Sequence, residues 1–144
     1  MTKAIIPVLG LVLTAHAGFA QKLKSSAVPA AVKTALAQKY PAATGVGWEK
    51  EKGNYEANWG GRSGEDNSVI FTPAGSLVET VVAIPVSGLP AGVADYVSRN
   101  YPGAKIKEVG KVTAADGKIT YEAEVNKKDL VFDASGKFVK VDKD

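Results

Sequence analysis

The chain contains no cysteine, one methionine and one histidine, and the last two, Met1 and His16, both fall within the first twenty residues. No disulfide can form, so the fold must be held by burial alone rather than by covalent staples. If the first twenty residues are removed, what remains has neither an imidazole nor a thiol. Histidine general bases, cysteine nucleophiles and His/Cys zinc sites are then excluded. Arginine is nearly absent too: Arg62 and Arg99 are the only two, and no element carries the basic stripe that nucleic-acid binding needs. No G-x-S-x-G, S-x-x-K, P-loop or dinucleotide fingerprint occurs in a supporting context. Accordingly no catalytic residue, no metal ligand set, no cofactor and no nucleic-acid partner is expected.

What is present fits one domain: 144 residues, 45% of them hydrophobic and 23% charged, with a formal net charge of +3. Residues 1–20 have the layout of a secretory signal peptide, with Lys3 at the positive start, an apolar run from Ala4 to Leu13, and small residues at Ala15, Ala17, Gly18 and Ala20. Cleavage is expected after Ala20, with Ala17 as the alternative. The run is too short for a membrane span, and with no cysteine after it no lipid can be attached. A periplasmic or secreted protein follows, with no membrane anchor after cleavage.

An internal repeat organises the remainder. Val28-Pro29-Ala30-Ala31-Val32 matches Leu89-Pro90-Ala91-Gly92-Val93, and Tyr40-Pro41-Ala42-Ala43 matches Tyr101-Pro102-Gly103-Ala104, both 61 positions apart. Val69-Ile70-Phe71 through Val78 matches Leu130-Val131-Phe132 through Val139 at the same offset, whereas Tyr55-Glu56-Ala57 meets Tyr121-Glu122-Ala123 at 66. Loop insertions that compensate between matching halves indicate duplication. The expected divisions are 1–20 (signal peptide), 21–86 (first unit) and 87–144 (second unit), the two units forming one structural domain.

Each unit opens with a helix. Pro29 and Pro90 suit a first helical turn, with Ser26 and Ser87 upstream as possible caps. Val28, Val32, Leu36 and Tyr40 recur at a helical spacing, as do Leu89, Val93, Val97 and Tyr101, and Pro41 and Pro102 end both helices. Four short strands follow in each half, at 45–52, 54–60, 68–72 and 76–84, then 105–112, 118–126, 129–133 and 137–142, punctuated by turn residues. Pro73-Ala74-Gly75 and Ala134-Ser135-Gly136 suit three-residue hairpin loops closed by a left-handed glycine. The expected fold is α+β: tandem duplicated α-β4 units whose strands join into one antiparallel sheet of about eight strands, with two helices packed on one face.

Strand alternation sorts the faces. Tyr55, Ala57 and Trp59, with Tyr121, Ala123 and Val125, take the helix side, so Glu56, Glu122 and Glu124 take the other. The uncharged set Ile70, Val78, Val82, Val131, Val139 and Val141 is assigned to the helix side. Phe71, Leu77, Phe132 and Phe138 then lie on the open side beside Glu79 and Lys140. An open face with four large apolar residues and a charged rim is the expected partner-binding surface, and the opposite strand phase would instead place the phenylalanines in the core. Two other readings stand beside it. Glu65-Asp66-Asn67 in a glycine-rich loop is a possible Ca²⁺-responsive or small-ligand site, although it lacks EF-hand ligand spacing. Glu56 and Glu122 are a possible carboxylate pair for a hydrolase.

The duplicated helix ending in Tyr-Pro-x-Ala, the Tyr-Glu-Ala strands and the Phe-x-x-x-Gly hairpins together resemble the PepSY-like family of small exported bacterial proteins, over about residues 27–142. The repeat is also similar to the tandem architecture of beta-lactamase inhibitory protein. The resemblance implies a non-enzymatic periplasmic or secreted module; a monomer is expected, or a weak dimer where an exposed edge strand extends the sheet. It would engage an extracytoplasmic protein or peptide, such as a hydrolase or peptidase, through the open sheet face. The inhibitory protein's repeats are stapled by disulfides, and this chain has none, so no contact residue carries over.

Overall fold

The computed structural model describes residues 21–142; the signal-peptide reading and both cleavage positions lie outside them. A three-residue strand β1 (Gln21–Leu23) and a 3-10 turn (Ser25–Ala27) lead into α1 (Ala30–Lys39). Then come β2 (Gly47–Glu51), β3 (Asn54–Trp59), β4 (Asn67–Phe71) and β5 (Leu77–Ala83). The second unit repeats the order: a 3-10 turn (Val86–Gly88), α2 (Ala91–Asn100), β6 (Ile106–Ala114), β7 (Ile119–Val125), β8 (Lys128–Asp133) and β9 (Phe138–Asp142). All strands form one nine-stranded antiparallel sheet in the order β1 to β9. The α+β fold and tandem units are as expected. The extra strand is β1, whose Leu23 pairs with Trp48. Among the described residues no helix is long and apolar enough to cross a membrane.

The helices begin one residue later than a first-turn proline implies. Pro29 and Pro90 are extended residues flanking the first turn, and neither helix has a side-chain cap. Pro29 instead accepts from the amides of Val32 and Lys33 at 3.1 and 3.2 Å, and Pro90 from Val93 at 3.1 Å. Ser26 and Ser87 sit in the 3-10 turns upstream. Both helices end where the Tyr-Pro steps require, with the Tyr40 and Tyr101 amides bonded to the Leu36 and Val97 carbonyls.

Each helix covers its own half of one sheet face. Val28, Val32 and Leu36 pack with Trp48, Ala57, Val69 and Phe71, and Val93 and Val97 pack with Ala123, Val125, Leu130 and Phe132. Phe138 stacks on Tyr96 with ring centroids 4.4 Å apart, and Phe132 stands edge-on to Tyr96 at 5.5 Å. The hairpin glycines fix how closely helix and sheet approach. Gly75 lies at φ +84 and a Cβ there would stand 2.7 Å from the Ala31 carbonyl oxygen; Gly136, at φ +88, would meet Pro90 at 2.8 Å.

These packings correct the strand phase. Phe71 and Phe132 are fully buried beneath the helices, and Leu77 and Phe138 pack on the same two cores. Ile70 and Val131 are on the opposite face. The cause is a bulge at the same place in both units. Phe71 pairs with Leu77, but Ile70 pairs with Glu79, leaving Val78 as the extra residue. Phe132 pairs with Phe138 and Val131 with Lys140, leaving Val139 extra. A bulge reverses the alternation beyond it, so Glu79 and Lys140 share a face with Ile70 and Val131. Val139 is 54% exposed.

Candidate functional site

The sheet face turned away from the helices is assembled from every strand from β2 to β9. Cross-strand partners project to the same side, so the register defines its rows. One row runs Glu49, Glu56, Ile70, Glu79, Ala114. The next runs Asn58, Ser68, Val81, Val112, Thr120. In the second unit Gly110, Glu122, Val131 and Lys140 form a row, and Glu124 and Asp129 are paired neighbours beside it. Ile70, Val81 and Val112 make a third apolar cluster with Val78 against it, and no helix residue contributes.

The carboxylates of this face are buried among those apolar side chains. Glu79 is 3% exposed, and Glu56 and Glu122 are each 4% exposed. Glu56 Oε1 accepts a 2.8 Å hydrogen bond from the Ser68 hydroxyl. Glu79 Oε1 and both oxygens of Glu122 are buried without a hydrogen-bond partner. Burial pushes the Glu56 carboxyl up to about 7; the Ser68 bond opposes the shift, and Glu49 and Glu51 add to it. Glu79 is also pushed up to about 7, by burial first and then by Glu51, Glu56 and Asp142, with Lys140 opposing. Glu122 rises well above the carboxylate range, again through burial first, then Glu79, Asp129 and Asp142. The charges acting on Glu79 therefore come from β2, β3 and β9. Such convergence requires the sheet to curl around this face and make it concave.

The sequence-derived site divides along the phase error. Phe71, Leu77, Phe132 and Phe138 are core residues and do not reach the helix-free face. Glu56, Glu122 and Glu124 do lie on it. Sequence reasoning missed Ile70, Val81, Val112 and Val131, and it placed Glu79 on this face as part of a charged rim, whereas Glu79 is buried at its centre. The detectable signal was the 61-residue offset itself, which sets Glu79 against Lys140 while their neighbours match in kind.

The other two readings find no assembled site. Glu65 and Asp66 line a half-open groove of about 320 Å³ with Ile84, Val86, Lys107 and Glu108. Within it Asp66 packs against Gly61, and the Asn67 amide donates to the Trp59 carbonyl at 3.3 Å. Among the described residues no group of three or more His, Cys, Asp or Glu is arranged to hold a metal ion. Glu56 on β3 and Glu122 on β7 are four strands apart in the sheet order, and the charges that act on Glu56 come from Glu49 and Glu51.

The molecule is thus an α+β protein of tandem helix-plus-four-strand units, with one sheet face closed by helices and the other lined by valines and carboxylates. The chain belongs to the family described as "Putative beta-lactamase-inhibitor-like, PepSY-like", which matches it twice, over residues 18–77 and 62–140. No curated protein matches it. Solved structures of similar fold include a "putative periplasmic" protein of Bacteroides eggerthii. That structure has 23% identity and a TM-score of 0.70, covering 80% of this chain and 88% of that one. A DUF2874 family protein of Bacteroides uniformis has 23% identity and a TM-score of 0.68, covering 79% of this chain and 88% of its own. A BLIP-like protein of Bacteroides fragilis has 21% identity and a TM-score of 0.62, with 79% and 85% covered. At these identities the likeness establishes the fold.

Proposed function

We propose that this chain is a non-enzymatic periplasmic binding module that holds a protein or peptide partner on the helix-free face of its sheet. The observation that carries the reading is the character of that face. Ile70, Val81, Val112 and Val131 are interleaved there with Glu56, Glu79, Glu122 and Glu124, and three carboxylate oxygens lack a hydrogen-bond partner. These side chains are almost wholly buried in the isolated chain, and buried acceptors without donors are costly and uncommon; a polypeptide docked on this face would supply the missing donors. Family membership supports an inhibitor-like rather than catalytic role, and a neighbour of the same fold described as periplasmic supports the compartment. Glu56, Glu122 and Glu124 stay in the contact set, and the core phenylalanines leave it.

The test compares two charge reversals in capture from an envelope extract. Glu124→Lys alters the concave face, whereas Lys33→Glu alters the exposed side of α1. With both variants folded by their melting temperatures, Glu124→Lys should lose the proteins recovered by the parent and Lys33→Glu should keep them. Equal recovery by parent and Glu124→Lys refutes the assignment of the face.

A further inference from the structure

The two units differ at one informative position. In the second, Glu122, Val131 and Lys140 occupy one row, so a carboxylate, an apolar residue and a cation lie side by side. In the first, the corresponding row reads Glu56, Ile70, Glu79. The cation is replaced by a second carboxylate, and the first unit has no counter-ion of its own in that row. Lys140 is shared: its ammonium lies 3.2 Å from Asp142, and its charge acts on both Glu79 and Glu122. Glu79 and Glu122 meanwhile hold buried oxygens with no donor, and an unsatisfied buried acceptor costs about 1–3 kcal/mol.

We propose that the floor of the concave face is a socket for one cationic side chain, a lysine or arginine carried by the bound polypeptide, with Glu79 and Glu122 as its acceptors. This rests on the binding reading above and names the chemistry that reading leaves open. Lysine and arginine carry only donors, which is what three acceptor oxygens without a donor require; all three are closed to solvent in the unbound chain, so entry of the side chain has to part the residues over them. Their aliphatic stems suit the apolar neighbours Ile70, Val81 and Val112, as such stems commonly do on apolar surfaces. A bare divalent ion fits less well, because no three carboxylates among the described residues are grouped to hold one. The charged groups facing the socket are Glu51 from β2, Glu56 from β3, Asp129 from β8, and Lys140 and Asp142 from β9. Only one of the five is positive. Entry of a cation stabilises the ionised carboxylates, so binding expels protons near neutral pH, where Glu56 and Glu79 titrate.

The experiment is calorimetric titration with a capped Val-Arg-Val peptide and its citrulline counterpart, in two buffers of different ionisation enthalpy at pH 7. Citrulline keeps the shape of arginine and removes its charge. The arginine peptide should bind at least about tenfold more tightly, a difference of about 1.4 kcal/mol, and should release protons. Glu79→Gln, isosteric and checked for an unchanged fold by circular dichroism, should abolish both the preference and the release. Equal binding of the two peptides, or binding of neither at millimolar concentration, overturns the socket. If Glu124→Lys still blocks capture from extract in that case, the docking face survives and only the socket falls. Binding of calcium chloride alone, lost in Glu79→Gln, would assign the floor to a metal and also overturn the proposal.

Discussion

Glu56 offers the cleanest quantitative check on the buried carboxylates. Its side chain goes from an ordinary value of 4.5 to about 7 on folding, chiefly because burial disfavours the charged form. One unit corresponds to about 1.4 kcal/mol, so the shift amounts to about 3 kcal/mol of pH-dependent stability. The folded state holds this proton more tightly than the unfolded chain. The contribution is therefore complete below pH 4.5, declines as pH rises, and is lost above about pH 7. Glu56→Gln removes the ionisation and leaves the geometry supportable, because the amide oxygen still accepts from Ser68 and a flipped Asn58 can accept from the amide nitrogen. Urea unfolding followed by the fluorescence of Trp48 and Trp59, at pH 4 and pH 8, is the assay. Parent and variant should be nearly equal at pH 4, and the variant more stable by about 3 kcal/mol at pH 8. A constant difference between them at both pH values, of either sign, would refute the claim that this carboxyl is desolvated.

Phe132→Ala should cost about 3–5 kcal/mol in thermal unfolding, since the ring is fully buried among Tyr96 and Phe138; a loss below about 1 kcal/mol would restore it to the surface. Gly75→Ala should destabilise more than Gly117→Ala in the same measurement. Both glycines have positive φ, which costs an alanine about 1–2 kcal/mol, but only Gly75 also faces a close backbone oxygen, whereas nothing lies within 4 Å of the position at Gly117. Equal costs would show that the hairpin does not abut α1.

Helices, turns and the tandem units were legible because each rests on local chemistry: the four-residue apolar spacing ending at Tyr-Pro, and the loop glycines at Gly75 and Gly136. The faces of β3 and β7 were legible for the same reason, since Tyr-Glu-Ala alternates without interruption. The faces of β4 and β8, and of Leu77 and Phe138 at the start of β5 and β9, were not. A bulge adds one residue without any compositional mark, and the uncharged run Ile70, Val78, Val82 looked like a core row only while Val78 was counted as a regular strand position. β1 escaped notice because Gln21-Lys22-Leu23 has no alternation and is a strand only through its pairing with β2. The burial of the glutamates was not legible because burial on a sheet face depends on its curvature, which arises from all nine strands together. Glu79 in particular gains its environment from residues as distant in sequence as Glu51 and Asp142.

The order of the strands also governs how the molecule is built. Each of the nine pairs with its neighbour in sequence, so most additions close a short loop and only the β1–β2 and β5–β6 connections run through a helix; topologies of that kind keep contacts local and favour rapid folding. The two helical cores are likewise filled from within their own halves. The chain can consolidate one unit while the other is still extended, leaving the β5–β6 seam as the last junction to be zipped.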